Sequence, residues 1–194
     1  MMSRLKNLIF VFMALFLPII AFASKWQLDD AHTRIGFEVN HMGYSTTYGY
    51  FKQFDGVVDY EKTKPEDTSI HFIIKAASIN TDWVARDEHL KSKDFFNVTQ
   101  FPDMKFVSKK FTLIDPSHAK LIGDFTLLGI TKPITLDVKI NKQAISPMTK
   151  LDTIGFQATT TIKRSDWGMN FLIPAISDEV VIKIDSELNP FISK

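Results

Sequence analysis

The chain has 194 residues, with 23 Lys plus Arg against 22 Asp plus Glu and no cysteine. A charge this close to balance offers no broad field for nucleic acid or an anionic surface, and the absence of thiols excludes thiol catalysis and cysteine metal sites. The length suits one domain with a core large enough to stand without cross-links.

The opening run MMSRLKNLIFVFMALFLPIIAFAS places Arg4 and Lys6 before an apolar stretch from Leu8 to Ile20 and ends it at Ala21-Phe22-Ala23. A basic start, a short apolar run and an A-x-A site make a secretory signal peptide. As a helix, about 13 residues would reach about 20 Å, short of a hydrocarbon core of about 30 Å. The expectation is cleavage after Ala23, a signal peptide at 1–23, a mature domain at 24–194 and a periplasmic location. Removing Arg4 and Lys6 from the 23 basic residues leaves 21 against 22 acidic ones, so the mature chain stays near neutral.

Beyond Ser24 the dominant hydrophobic period is two. Ile35, Phe37 and Val39 alternate with polar or small neighbours, as do Ile70, Phe72 and Ile74, then Leu121, Phe125 and Leu127, then Ile134, Leu136, Val138 and Ile140, then Phe156, Ala158 and Ile162. One apolar and one polar face per strand is the mark of antiparallel sheet with a solvated side. Turn chemistry at Lys64-Pro65-Glu66-Asp67, Asp115-Pro116-Ser117, Leu128-Gly129 and Ser146-Pro147 separates the runs. Strands are predicted at 25–30, 33–42, 48–60, 68–77, 103–114, 119–128, 132–143 and 153–164, with a ninth run at 179–188 completing closure beside the first.

Two stretches break the alternation. Residues 82–92 are good helix formers, and Asp82 can cap a helix whose Val84, Leu90 and following Phe95 and Phe96 face inward. SDWGMNFLIPAIS, interrupted by Gly168 and Pro174, reads as a loop folded over an opening. One short helix in an all-β chain suggests a lid on a barrel. About eight strands of about ten residues, tilted near 40°, would stand about 25 Å tall, and an interior of that width either fills with side chains or holds one small ligand. A lumen lined by Phe37, Phe72, Phe125 and Phe156 would be apolar, although the same alternation also describes a filled core.

The run LDDAHTRIGFEVNHMGYSTTYGYFKQFDGVVDYE, then INTDWVARDEHLKSKDFFNVTQFPDMKF, then GDFTLLGITKPITLDV, and finally TTTIKRSDWGMN with SDEVVIKI resemble, in order and spacing, the YceI family of periplasmic lipid-binding proteins. The resemblance spans essentially the whole mature chain, and Tyr50 is a departure where the pattern often carries Arg or Lys. It implies an all-β, lipocalin-like, antiparallel eight-stranded barrel with one short helix covering the mouth. It also implies a long apolar lumen for a polyisoprenoid or similar long-chain amphiphile, such as a quinone or prenyl phosphate, and no established enzymatic activity or cofactor. The expected ligand-binding set is Phe37, Val39, Phe72, Ile74, Phe125, Leu127, Phe156, Met169 and Phe171 for the tail, with Arg86 and His89 for a headgroup. Expected partners are that lipid and transient contact with a membrane, the protein being a monomer or homodimer.

Arg86-Asp87-Glu88-His89 is the chain's densest polar cluster. On a helix Ala85 occupies the position one turn before His89, so the paired ligands of a zinc site are missing, and there is no Gly-x-Ser-x-Gly nucleophile turn. The expected role is a rim fastening, with Arg86 and Asp87 paired to Asp166 and Arg164. His32 and His41 end one strand, roughly 30 Å apart and too far to share an ion. His71 and His118 are expected on the surface, Trp26, Trp83 and Trp167 in the core, and no convergent set of metal ligands is expected. The runner-up readings are an enzyme acting on such a lipid, with His89 or an Asp between Asp82 and Glu88 as base, and a stress-response barrel acting through a protein partner.

Overall fold

A computed structural model describes residues 24–61 and 63–191. The segment read as a signal peptide, 1–23, lies outside them. Among the described residues the chain forms β1 (Ser24–Leu28), β2 (Arg34–His41), β3 (Ser45–Phe51), β4 (Phe54–Tyr60), β5 (Ser69–Lys75), β6 (Ile79–Asn80), α1 (Val84–Lys91), β7 (Asp103–Asp115), β8 (His118–Leu127), β9 (Ile130–Ile145), β10 (Asp152–Lys163) and β11 (Ile176–Pro190).

Period-two patterning drives this directly. In β8 the odd-numbered residues Ala119, Leu121, Gly123, Phe125 and Leu127 are all buried, and the even-numbered residues between them are not. Such a strand must bury its apolar face against another layer, and here the sheet curls round on itself to supply that layer. The sheet runs β1-β4-β5-β7-β8-β9-β10-β11 and closes by pairing β11 with β1, giving an eight-stranded antiparallel barrel. β11 is 15 residues long: its end pairs with β1 from Leu188 to Pro190, while Ile176 to Asp185 pair with β2. β3 and then β6 continue from β2, so this flap forms the wall at the helix end.

The predicted strand 48–60 is in fact two. Lys52 and Gln53 leave the ladder because their backbone N–H groups donate to the carbonyl and hydroxyl oxygens of Ser78, at 3.1 and 3.0 Å. β3 then faces β2, whereas β4 faces β1 and β5. The predicted ninth run closes beside the first strand, as the register Trp26 to Pro190 requires.

The helix starts later than expected. Asp82 sits at φ 59° and its carboxylate accepts from the Asn80 amide at 2.7 Å, so it does not cap; Trp83 takes the cap position without a side-chain bond. Val84, expected inward, is 75% exposed, and Trp83, expected in the core, is 61% exposed. The reason is polar: the residue buried on the first turn is Asp87, which anchors the helix to β6 and turns Val84 outward. Leu90, Phe95 and Phe96 do pack against the core, as do Trp26 and Trp167, while His71 and His118 are exposed.

Candidate ligand-binding lumen

The barrel interior contains two apolar chambers. One, of about 130 Å³, lies away from α1 and is walled by residues of β4, β5 and β7 through β11, among them Phe72, Ile74, Phe106, Leu136, Ile154 and Phe156. The other, of about 110 Å³, lies beneath α1 and is walled by Phe37, Val39, Phe51, Leu90, Phe95, Phe96, Met104, Leu127 and Met169 among others. Phe125 lines both. The expected lumen is therefore divided at Phe125, whose ring is held edge-on to Trp167 at 5.6 Å while its backbone carbonyl accepts from the indole N–H at 3.2 Å.

Voids of this kind are chemically selective. An apolar cavity of about 150 Å³ lined by aliphatic and aromatic side chains stays dry and takes up apolar guests. Left empty, the larger chamber costs roughly 3 kcal/mol at about 24 cal/mol per Å³. A ligand that fills it recovers that energy.

The sequence-derived set divides cleanly in space. Phe72, Ile74 and Phe156 line the larger chamber, Phe37, Val39, Leu127 and Met169 the smaller, and Phe125 both. Phe171, Arg86 and His89 line neither. Phe171 lies outside the lumen, 38% exposed, with its ring edge-on to His89 at 5.5 Å and to Phe95 at 5.4 Å. His89 faces Asp94 at 3.1 Å on the rim.

Arg86 and Asp87 are fastened to Thr81, not to Arg164 and Asp166. The Asp87 carboxylate accepts from the Thr81 N–H at 2.8 Å and from its hydroxyl at 2.6 Å, and Arg86 donates to the same hydroxyl oxygen and to the Thr81 carbonyl, both at 2.7 Å. This local knot saturates the groups that were expected to reach across. Asp166 instead faces Lys132 at 3.5 Å.

Arg164 has a role the sequence did not disclose. Its buried guanidinium donates to the carbonyls of Ser177, Met169, Phe171 and Ile176 at 2.9 to 3.0 Å, drawing the 168–175 loop and the start of β11 across the barrel end. Burial holds its pKa below the ordinary value, opposed by Asp178. Four carbonyls converging on one cation replace the water that burial removed.

The expectation that no metal-ligand types converge is also corrected. Asp29, His32 and Glu187 bring ligand atoms within 4.8 Å of one another, because the β1–β2 turn lies beside the end of β11. The Asp29 carboxylate already accepts from the backbone of Ala31 and His32 and from the Asn189 amide, and its hydrogen bond raises the His32 pKa above the ordinary value. These contacts make the trio a turn fastening on the barrel surface.

The YceI-like domain profile matches residues 26–188, nearly every described residue of the barrel. The chain belongs to the YceI-like family. A UPF0312 protein of Pseudomonas putida is 35% identical over 151 residues, covering 77% of this chain and 78% of its own. A UPF0312 protein of Photorhabdus laumondii is 34% identical over 169 residues, covering 86% and 87%. Among solved structures, the YceI protein of Campylobacter jejuni aligns with TM-score 0.70 at 35% identity, covering 85% of this chain and 97% of that one. Burkholderia cenocepacia BcnA, at 22% identity and TM-score 0.74 over 82% and 98% of the two chains, shares the fold. So does a polyisoprenoid binding domain from Saccharophagus degradans, at 13% identity and TM-score 0.65 over 88% and 99%.

In this YceI-like barrel, glycine keeps the lumen hollow. The Phe37 ring lies across Gly49 on β3, Phe72 across Gly56 on β4, and Phe106 across Gly123 on β8, each so close that a methyl group on the glycine would overlap the ring. Each ring occupies the space over its glycine that a side chain there would fill. Gly56→Ala is expected to push the Phe72 ring into the larger chamber, lowering lipid capture at least tenfold at a stability cost of about 1–3 kcal/mol. Lipid retained per folded protein, set beside a urea melt, checks this; retention equal to wild type would show that the ring has room elsewhere.

Proposed function

We propose that this protein is a binding module that holds a long-chain isoprenoid or similar amphiphile in its barrel and carries or sequesters it through the periplasm. The observation that carries the reading is the pair of apolar chambers meeting at Phe125. Burying about 300 Å² of tail at about 25 cal/mol per Å² supplies roughly 7 kcal/mol before ordering costs, enough for micromolar capture without a polar contact. Membership of the YceI-like family and the fold shared with the polyisoprenoid binding domain support it. The signal-like run at 1–23 supports export.

Transient membrane contact fits the same reading. Exposed Met42, Tyr44, Trp83, Val84 and Leu172 lie on the loops and helix start at the α1 end, and the Met42 N–H donates to the Ala175 carbonyl at 2.9 Å, joining two of those loops. An enzyme is the weaker alternative, because Arg86 and Asp87 are consumed by Thr81 and His89 lies outside the lumen.

Native mass spectrometry of the mature protein from the periplasmic fraction, followed by organic extraction, tests the proposal. The expected result is one stoichiometric long-chain lipid and an N-terminus at Ser24. A protein that carries no lipid and takes none up from isoprenoid-loaded vesicles would leave the barrel as a scaffold for surface contacts.

A further inference from the structure

Among the described residues, the wall of the larger chamber contains no charged side chain and three polar ones: Tyr60, Thr68 and Gln143. All three lie at the end remote from α1. Thr68 follows the 3-10 turn Pro65–Asp67, one step beyond the Asp59–Ser69 pair and so opposite Tyr60, while Gln143 pairs with Ile154 three strands further round the ring. Thr68 is 8% exposed, and its hydroxyl is buried without a hydrogen-bond partner among the described residues. The Gln143 amide nitrogen reaches Asp152 at 3.5 Å, and its carbonyl oxygen accepts no hydrogen bond among the described residues.

An unpaired hydroxyl in an apolar wall is costly, and native proteins keep few of them. A bound ligand that supplies the missing partner removes that cost. The missing partner is neutral, since a phosphate here would be stripped of water with no Lys or Arg among the described residues of the chamber wall to compensate it.

Resting on the reading of the lumen as a lipid site, we propose that Thr68, with Tyr60 beside it on β4 and Gln143 across the barrel at the same end, forms a head subsite. It binds the neutral oxygen of a long-chain lipid, an alcohol or ketone carbonyl, at the barrel end opposite the helix. The apolar tail then runs past Phe125 toward α1. This reverses the orientation expected from Arg86 and His89.

Three twenty-carbon isoprenoid probes separate the alternatives: the alcohol phytol, the hydrocarbon phytane and phytyl diphosphate. Each is presented from methyl-β-cyclodextrin, and Trp26, edge-on to Tyr60 at 6.1 Å, reports occupancy by fluorescence. Wild type is expected to prefer phytol to phytyl diphosphate, a comparison that needs no variant. Thr68→Val, which keeps the side-chain shape, is expected to weaken phytol about three- to tenfold, the worth of one neutral hydrogen bond, and to leave phytane unchanged. Thr68→Ser is expected to restore phytol binding. Equal losses for phytol and phytane, or no loss for either, would overturn the subsite while the lipid reading stands. Tighter binding of the diphosphate, insensitive to Thr68→Val, would put the head elsewhere. A wild type that takes none of the three would sink the lipid reading itself.

Discussion

Arg164→Met is expected to lower unfolding free energy by roughly 3 kcal/mol or more and to speed release of bound lipid. The guanidinium satisfies four carbonyls, at Met169 and Phe171 in a loop with little regular structure and at Ile176 and Ser177 where β11 begins. Hydrogen bonds to a charged donor contribute about 1.5–3 kcal/mol each, and part of that returns when the freed carbonyls find water. Methionine fills similar space, so the loss reads the polar contacts and not a cavity. Arg164→Lys should fall close to the Met variant, because a single ammonium cannot fork to carbonyls spread along the loop. Urea melts measure the first effect and lipid transfer to acceptor vesicles the second. A Met variant within about 1 kcal/mol of wild type would mean that the loop is held by its apolar contacts instead.

For Phe125→Ala, the lipid-free protein is expected to lose about 3–5 kcal/mol, on the order of 10 °C in melting temperature for a chain this long. Phe125 is 7% exposed, packs edge-on to Trp167 and borders both chambers. Removing its ring joins the two voids and adds a third between them. A ligand that binds only the folded state stabilises it by mass action. A long-chain lipid threading the merged lumen should therefore raise the variant's melting temperature by more than it raises the wild type's. Scanning calorimetry with and without saturating phytol makes the comparison. Equal shifts would mean that the tail never passes Phe125 and stays within one chamber.

Much of the barrel was legible because its physics is local. A strand with one buried face must alternate, so the strand runs, the parity of the inward set and the closing run at 179–188 could be read without coordinates. Phe37, Phe72, Phe125 and Phe156 line chambers for the same reason. The break at Lys52–Gln53 was hidden because its cause is Ser78, 25 residues away in sequence. The helix misled because hydrophobicity suggested Val84 as its inward residue, whereas a carboxylate bound to Thr81 set its rotation.

The sequence by itself determined the antiparallel barrel, the apolar character of its interior and the covering segment near residues 82–96, since period, turn chemistry and composition act over a few neighbours. Only the tertiary structure decided what each polar group is for. Arg164 collects carbonyls from a loop that doubles back on it, Arg86 and Asp87 close on Thr81, and Thr68, in the wall of an apolar chamber, finds no partner among the described residues. A hydrogen bond is directional and must find its partner within about 3 Å, so which donors and acceptors meet depends on chain segments far apart in sequence. Apolar burial has no direction, and its pattern survives in the sequence.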